Sequence, residues 1–319
     1  YIQNVLAPDG VAILSTYDTV NKNLSYLLSS DNKSIKINWF ELANEAVLIV
    51  SVSYEAGKRS ALYYKTRMFS IDISAQETIH KRLLKKRDSI GSVAKGYVSQ
   101  IQDSVIDFLP DEPDFILVQV DFDIPQQPTV YKVNVYTGKK SRVEKGKLSI
   151  RHWYTDQQHQ VRIGRARNYD TGEITYWHRF TSDNDFEELL SYTAFEDKPI
   201  SVKGFGLDPN ILYLTKYNGD KRALYKMNLS SKETSLVLAH ERYDISGDLI
   251  YSTVNKEAIG IFDDHSPYER YYFDGNDYAF HNALDNVLSD TITSSTVLVK
   301  INRFTSYIKN LILLRANIY

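Results

Sequence analysis

The chain contains no cysteine among its 319 residues. Disulfides, thiolate nucleophiles and cysteine-based metal sites are therefore excluded. No run of about 18 apolar residues occurs, so no segment is expected to span a bilayer. The formal net charge of −2 gives no overall attraction to nucleic acid or to an anionic membrane surface. We expect a protein with neither a nucleic-acid partner nor a membrane span.

The sequence signatures of several common catalytic folds are also missing. The G-x-S-x-G turn that exposes the nucleophilic serine of an α/β-hydrolase does not occur. The Walker loop, the Rossmann G-x-G-x-x-G pattern and the H-E-x-x-H zinc signature are absent as well. We predict no catalytic, cofactor-binding or metal-binding residue in this chain.

The residues that are abundant favour β-structure. Hydrophobic residues make up 43% of the chain, which is ample for a packed core and far from the composition of disorder. Most of the aromatic residues are tyrosines, 24 in all. Tyrosine suits strands because its ring is apolar at the base and polar at the tip.

A cluster of turn-forming residues followed by a short apolar run recurs along the chain. Residues 7–10 precede the run 11–14, residues 110–114 precede 115–120, and residues 207–210 precede 211–214. About 15 residues after the second and third runs begin, an alternating strand follows, at residues 131–135 and 225–229. These two strands start 94 positions apart (225 minus 131), about two periods of a propeller blade.

This period predicts an all-β fold, a β-propeller of four-stranded antiparallel blades that spans residues 1–319 as one domain. A single small sheet cannot bury both of its faces, whereas blades stacked face to face can. Seven blades is the preferred count, with six and eight left open. The blades are expected to start near residues 3, 44, 104, 150, 202, 244 and 291.

Two segments interrupt the β pattern. Residues 75–100 are interpreted as a solvated, charged excursion of one or two helical turns, with a polyanion contact as the alternative. The charges there are those of Lys81, Arg82, Lys85, Lys86 and Arg87. Residues 277–290 are expected to form a short amphipathic helix packed on the blades. Its apolar positions recur at helical spacing: Phe280, Leu284, Val287 and Leu288.

The seven histidines are scattered along the chain, at positions 80, 152, 159, 178, 240, 265 and 281. Asp263-Asp264-His265 is the densest group of acids and imidazole. We interpret it as a polar turn rather than a metal site, because adjacent residues of a strand point to opposite faces. His152 is interpreted as a satisfied core or groove histidine, with pocket lining as the alternative.

Carboxylates and tryptophans give two further sets of candidates. Two acids facing across a channel could serve a propeller glycosidase, although such acids are more often turn residues. The acids considered are Asp121, Asp123, Asp170 and Glu173. The three tryptophans are expected to fill the core between blades rather than to form a ligand platform. They are Trp39, Trp153 and Trp177.

Several segments within residues 1 to about 295 share a family likeness. They are residues 1–4 with 7–10, 37–40 with 48–52, 130–139, 150–153 with 156–157, 239–247 and 270–273. These segments resemble the N-terminal β-propeller of bacterial serine peptidases of the prolyl oligopeptidase family, near its acylaminoacyl- and dipeptidyl-peptidase branches. Their motifs are structural rather than catalytic.

In that family the propeller caps a C-terminal α/β-hydrolase domain and admits only small peptides to the catalytic cavity. The resemblance therefore implies a non-catalytic propeller that gates and selects peptide substrates for a hydrolase domain missing from this chain. It also implies a periplasmic or secreted location, with a cytoplasmic one as the alternative. Because the chain begins with Tyr1 rather than Met, we expect an upstream piece to have been removed.

Two other functions stay open, since fold does not determine function. A stand-alone propeller could bind a peptide, a glycan or a protein through the loops of one face. A propeller glycosidase is the third hypothesis, and it rests on the carboxylates named above.

Overall fold

The computed structural model describes residues 2–7, 9–18, 21–58, 61–75, 79–84, 97–252, 255–262, 270–275, 278–279, 291–298 and 307–314. Strands dominate this part of the chain, and each sheet runs in the order of the sequence. Neighbouring strands pair antiparallel, as in an up-and-down meander. None of the helices in the described residues is long and apolar enough to cross a membrane.

Four sheets of the described residues have four strands each. The first contains β4 (Lys36–Leu42), β5 (Val47–Lys58), β6 (Ala61–Asp72) and β7 (His80–Arg82). The second contains β8 (Ser104–Asp107), β9 (Phe115–Ile124), β10 (Gln127–Asn134) and β11 (Lys140–Glu144). The third contains β12 (Ile150–Thr155), β13 (Val161–Arg167), β14 (Glu173–His178) and β15 (Glu187–Thr193). The fourth contains β16 (Ser201–Phe205), β17 (Ile211–Asn218), β18 (Lys221–Asn228) and β19 (Thr234–Leu238).

Three further sheets have fewer strands among the described residues. One contains β1 (Ile2–Leu6), β2 (Ala12–Asp18) and β3 (Asn23–Ser30). Another contains β20 (Leu249–Tyr251), β21 (Ala258–Phe262) and β22 (Arg270–Tyr272). The last contains β23 (Thr291–Leu298) and β24 (Tyr307–Leu314).

The predicted turn clusters form hydrogen-bonded turns that lead into strands. The Asp9 carboxylate accepts a hydrogen bond from the Val11 amide at 3.1 Å, just before β2. The Asp208 carbonyl accepts one from the Ile211 amide at 2.9 Å, at the start of β17. Asp and Asn favour such turns because their side chains bond to backbone amides two residues on.

The hairpin between β17 and β18 shows how one residue sets a register. Asn218 pairs with Lys221, which leaves a two-residue loop of Gly219 and Asp220. Gly219 has a φ of 68°. Glycine with positive φ at the first loop position is what a type II′ turn requires, and that turn matches the twist of the flanking strands.

The chain divides into two compact units, and each is described here by itself. The first unit comprises residues 2–154 and 163–168, and the second comprises residue 1 and residues 155–162 and 169–319. A core of the first unit is built from β5, β6, β9 and β10, with Val47, Ile49, Met68, Ile116, Val118 and Val133 among its buried residues. A core of the second unit contains Tyr213, Leu224, Ile245, Leu249 and Ile261.

The predicted fold class, an all-β propeller of antiparallel four-stranded sheets, is confirmed. The blade count of seven and the single domain over residues 1–319 stay predictions. The described sheets begin at residues 2, 36, 104, 150, 201, 249 and 291.

Both segments expected to break the β pattern lie partly outside the described residues. Within the charged segment 75–100, Lys81 and Arg82 belong to β7, so here a strand replaces the expected excursion. The strand is fixed by pairing, because Phe69 faces Arg82 and Ser70 faces Lys81 across the ladder to β6. Lys85, Lys86 and Arg87 lie outside the described residues. Of the predicted helix 277–290, only residues 278 and 279 are described, and both are helical.

Gly164 of β13 offers a test of how tightly the first unit is packed. A Cβ atom there would lie 2.4 Å from Cδ1 of Ile150 and 3.0 Å from Trp153, both fully buried. We expect Gly164→Ala to lower the free energy of unfolding by about 1–3 kcal/mol, because overpacking forces its neighbours to shift. Urea denaturation of Gly164→Ala, Ile150→Val and the double variant measures this.

The double variant should recover part of the loss, since Ile150→Val removes the colliding methyl group. Gly275→Ala is the control, because its Cβ would meet nothing within 4 Å. Equal effects of Gly164→Ala and Gly275→Ala would contradict the described packing.

Candidate functional site

A cluster of polar side chains lies on and beside the first strands of three successive sheets in the first unit, and it includes two side chains of the adjoining second strands β5 and β9. We name it the first-strand cluster, and it consists of Asn38, Ser51, Asp103, Ser104, Gln119 and His152. The first strands β4 and β8 contain no fully buried residue, and His152 on β12 is partly exposed. In contrast, the strands next to them are almost continuously buried. Polar groups on the first strands are therefore placed where water or a ligand reaches them.

Asp103 holds one end of the cluster. Its carboxylate accepts hydrogen bonds from the Ser51 hydroxyl at 2.6 Å and from the Thr66 hydroxyl. The Asn38 amide donates to Ser51 Oγ at 3.1 Å. A register shift between Ile37 and Trp39 marks a bulge at Asn38, and bulges commonly redirect a side chain. Asp103, just before β8, is thereby hydrogen-bonded to both β5 and β6.

Arg67 lies beside this carboxylate and is nearly buried, with 5% of its surface exposed. Its guanidinium donates to the Gln100 carbonyl at 3.2 Å and lies 5.7 Å from the centre of the Tyr54 ring. Burial lowers the pKa of Arg67, electrostatic interactions with Tyr54 and Asp103 raise it, and the charge of Arg82 lowers it. An arginine stays charged in such a setting, so the cation is held by the carbonyls of Thr66 and Gln100 and by the ring face of Tyr54.

Gln119 of β9 joins the other two members of the cluster. Its side-chain nitrogen lies 2.8 Å from Ser104 Oγ and 2.6 Å from Nδ1 of His152. Its side-chain oxygen accepts a hydrogen bond of 2.8 Å from the Trp153 backbone amide. A backbone N–H can only donate, so this bond fixes which end of the Gln119 amide is oxygen and which is nitrogen.

The protonation of His152 follows from that orientation. Because the Gln119 nitrogen is a donor, Nδ1 of His152 must accept, and in the neutral ring the proton then resides on Nε2. Burial lowers the pKa of His152 to about 4, with a further contribution from the charge of Arg165. At neutral pH, His152 is thus an uncharged N–H donor rather than a base. The ring also meets Tyr154 edge to face, with centroids 4.5 Å apart.

The second unit contains a buried ion pair. Arg162 of β13 lies 3.0 Å from the carboxylate of Asp156, and both side chains are at least nine-tenths buried. The other oxygen of Asp156 accepts the backbone amides of Gln158 and Gln160, each at 2.9 Å. Arg162 also donates to the Arg179 carbonyl at 2.6 Å. The carboxylate therefore fixes both the turn before β13 and a charged side chain on that strand.

His178 at the end of β14 has the same charge state as His152. Burial, followed by the charges of Arg162 and Lys232, lowers the pKa of His178 to about 4. Its ring meets Phe180 edge to face at 4.6 Å. His178 is 5% exposed, so it is a packed residue rather than part of a surface site.

The acids considered for a glycosidase are engaged in other contacts or exposed. Asp121 accepts hydrogen bonds from the Tyr97 hydroxyl at 2.5 Å and from the Gln126 amide at 2.8 Å. Asp123 accepts the hydroxyl of Tyr131 at 2.8 Å. Burial, together with these carboxylates, raises the pKa of both tyrosines. Asp170 and Glu173 are exposed, at the turn before β14 and at its start.

Trp39, Trp153 and His80 make contacts within the first unit. Trp153 is fully buried and donates its indole N–H to the Pro128 carbonyl at 2.7 Å, and Trp39 packs against the core of the first unit. Trp177 is partly buried, on β14 of the second unit. His80 on β7 lies 2.6 Å from the Leu27 carbonyl. The group Asp263-Asp264-His265 lies outside the described residues. Within the described part of the chain, no three potential protein ligands are grouped so that they could hold a metal ion.

Three residues that matter here were not singled out from the sequence as site candidates: Asp103, Gln119 and Arg162. A signal existed for two of them. Gln119 interrupts the apolar run 115–120, and Arg162 interrupts the run 161–163, in strands that are otherwise buried. A buried polar side chain must find a hydrogen-bond partner, so it marks a network. Which partner it finds depends on strands far away in the sequence.

The successive meander sheets place the chain in the propeller class of all-β proteins. No protein-family model matches it. It is 27% identical over 161 residues to dipeptidyl aminopeptidase BIII of Pseudoxanthomonas mexicana. That alignment covers 48% of this chain and 22% of the relative, so the chain matches only a minor part of that protein.

Two solved structures of peptidases are also similar. Dipeptidyl peptidase 4 of Porphyromonas gingivalis is 10% identical, with a TM-score of 0.45 over 93% of this chain and 48% of that one. The acylaminoacyl peptidase of Pyrococcus horikoshii is 12% identical, with a TM-score of 0.42 over 95% of this chain and 47% of that one. The chain thus spans about half the length of these two proteins. Sequence identities and TM-scores as low as these give no information about the activity of this chain.

The lowered pKa of His152 predicts how stability depends on pH. The ordinary pKa of a histidine is about 6.5, so below that pH His152 becomes protonated in the unfolded chain. In the folded chain the same imidazole becomes protonated only near pH 4. The contribution of His152 to the free energy of unfolding is therefore fully present above pH 6.5, and it is lost as the pH falls towards 4. The expected loss at pH 5 is about 2 kcal/mol.

Urea denaturation at pH 7 and pH 5 checks this, with His152→Asn as the comparison. The variant should lose less stability between the two pH values, because asparagine does not titrate. His178 contributes in the same direction in both proteins and cancels in the difference. Identical pH dependence of the two proteins would refute the assignment.

The buried ion pair predicts a second, separate effect. Asp156→Asn keeps a side-chain oxygen for the turn but leaves the Arg162 charge buried without its carboxylate. We expect a loss of about 3–5 kcal/mol in the free energy of unfolding. Asp220→Asn is the matched control, because Asp220 pairs with Lys221 at the surface and is 85% exposed. Its expected effect is below about 1 kcal/mol. Similar losses in the two variants would contradict the buried pair.

Proposed function

We propose that this chain is the propeller part of a serine peptidase and that it selects peptide substrates without catalysing their hydrolysis. The match to dipeptidyl aminopeptidase BIII is the observation that carries this proposal, since it covers 48% of the chain. The proposed partner is an α/β-hydrolase domain that is not present in this chain. The periplasmic or secreted location implied by the family resemblance belongs to the same proposal.

The chemistry of the described residues supports a selecting rather than a catalytic role. The first-strand cluster offers hydroxyls, amides and a neutral imidazole, all of which recognise peptide groups. His152 cannot serve as a general base at neutral pH, because one of its nitrogens accepts from Gln119 and the other carries the proton. A nucleophilic serine needs such a base beside it. The sequence moreover lacks the G-x-S-x-G turn.

The proposal is tested by the intact mass of the native gene product in its source cells. We expect a mass far above the 36.7 kDa of this chain, because the catalytic half would be joined to it. A native mass near 36.7 kDa would mean that the propeller acts alone, and the binding-module hypothesis would replace this one.

A fluorophosphonate probe gives an independent readout of the non-catalytic role. The probe labels activated serines, so the chain alone should remain unlabelled while an added serine hydrolase reacts. The full-length product should be labelled at a serine outside residues 1–319. Labelling within these residues would overturn the non-catalytic role.

A further inference from the structure

The turn between β17 and β18 presents an asparagine that is followed directly by a glycine, the one Asn-Gly pair in the sequence. Asn218 ends β17 and pairs with Lys221 across the hairpin, so Gly219 and Asp220 form the turn. Asn218, Gly219 and Asp220 are all exposed. The φ of 68° at Gly219 is one that a residue with a side chain rarely adopts. The turn therefore requires the glycine, and Asn218 stands immediately before it.

Most polar groups of this turn are engaged, but the Asn218 carboxamide and the Gly219 amide are not. The Gly219 carbonyl accepts a hydrogen bond of 2.9 Å from the Lys198 ammonium. The Asp220 carboxylate pairs with Lys221. Within the described residues, neither the side chain of Asn218 nor the backbone N–H of Gly219 has a hydrogen-bond partner. These two unengaged groups belong to adjacent residues.

Other asparagines of the same sheet have their side chains held by hydrogen bonds. The Asn210 amide donates to Oδ1 of Asn228 at 3.3 Å. The same oxygen of Asn228 accepts the backbone amides of Ser230 and Ser231, each at 3.0 Å. A carboxamide held in this way must break its bonds before it reacts, since each bond fixes its orientation. The carboxamide of Asn218 has no such bonds to break.

We propose that Asn218 is a site of spontaneous deamidation. The Gly219 nitrogen gives up its proton to solvent and attacks Cγ of Asn218. A C–N bond forms and closes a five-membered succinimide ring, while the bond from Cγ to the carboxamide nitrogen breaks and ammonia leaves with a proton taken from solvent. Water then opens the ring to aspartate or to isoaspartate. The attack is intramolecular, and glycine has no side chain to obstruct it.

This modification changes both the charge and the backbone of the turn. Either product has a carboxylate in place of the carboxamide, so the turn gains one negative charge, two residues from Asp220. Isoaspartate also places the side-chain methylene in the main chain, which disrupts the pairing of residue 218 with Lys221. A sample of the chain thus divides into chemically distinct forms with time. The inference does not depend on the proposed function.

The experiment incubates the folded full chain at 37 °C, at pH 8 and at pH 6, and follows it by tryptic peptide mapping with mass spectrometry. Trypsin cuts after Lys216 and Lys221, so Asn218 lies in the short peptide 217–221. We expect this peptide to gain about 1 Da, because an NH₂ group is exchanged for an OH group. The gain should be faster at pH 8, because the attacking nitrogen must lose its proton. An isoaspartate methyltransferase should label the same peptide.

The matched variant is Asn218→Gln, which keeps the carboxamide and the turn glycine. Glutamine would have to close a six-membered ring, so the mass gain in this peptide should be at least about tenfold slower. The peptides that contain Asn210 and Asn228 are internal controls and should stay unmodified over the same period.

Two outcomes would overturn the proposal. In the first, peptide 217–221 of the folded chain stays unmodified at pH 8 while the urea-unfolded chain reacts, which would mean that the turn prevents ring closure. In the second, the Asn228 peptide gains mass as fast as peptide 217–221, which would mean that the free carboxamide and the following glycine do not select Asn218. A time-zero digest corrects for deamidation during the digestion itself.

Discussion

The structure depends on strands that are buried on both faces. Leu48, Ile49 and Val50 follow one another on β5, and none of the three has exposed surface. Successive residues of a strand point to opposite faces, so both faces of this sheet are covered. A small sheet achieves that only when other parts of the protein pack against each face. At roughly 25 cal/mol for each square ångström of apolar surface removed from water, such strands supply much of the stability.

Because these strands are buried, one condition applies to every polar side chain within them: it must have a hydrogen-bond partner. A buried hydrogen-bonding group without a partner costs about 1–3 kcal/mol. Gln119 meets the condition with three bonds, and Arg162 meets it with the Asp156 carboxylate and the Arg179 carbonyl. In each case the partners lie at loop ends or on neighbouring strands. The polar networks therefore result from the packing that surrounds them.

One of these networks reaches partly exposed strands. Gln119 is buried, but His152 at its end is partly exposed, and the orientation of the buried amide determines which nitrogen of the imidazole carries the proton. The rigid interior thus determines that Nε2 is the hydrogen-bond donor of the partly exposed His152. For the selecting role proposed above, a fixed neutral donor is more useful than a titrating base.

Much of the fold could be predicted from the sequence, because its causes are local. Turn clusters such as Pro110–Asp114 and Asp208-Pro209-Asn210 stop one strand and start the next, and the alternation in residues 225–229 matches β18. The strand His80–Arg82 was missed, since its three residues form a strand only by pairing with β6. The first-strand cluster could not be predicted for a related reason. Ser51, Asp103 and His152 meet their partners through sheet packing, across separations of up to 52 residues. Composition and turn chemistry determined the class of fold, whereas the tertiary structure alone decided which polar side chains meet and where the proton of His152 resides.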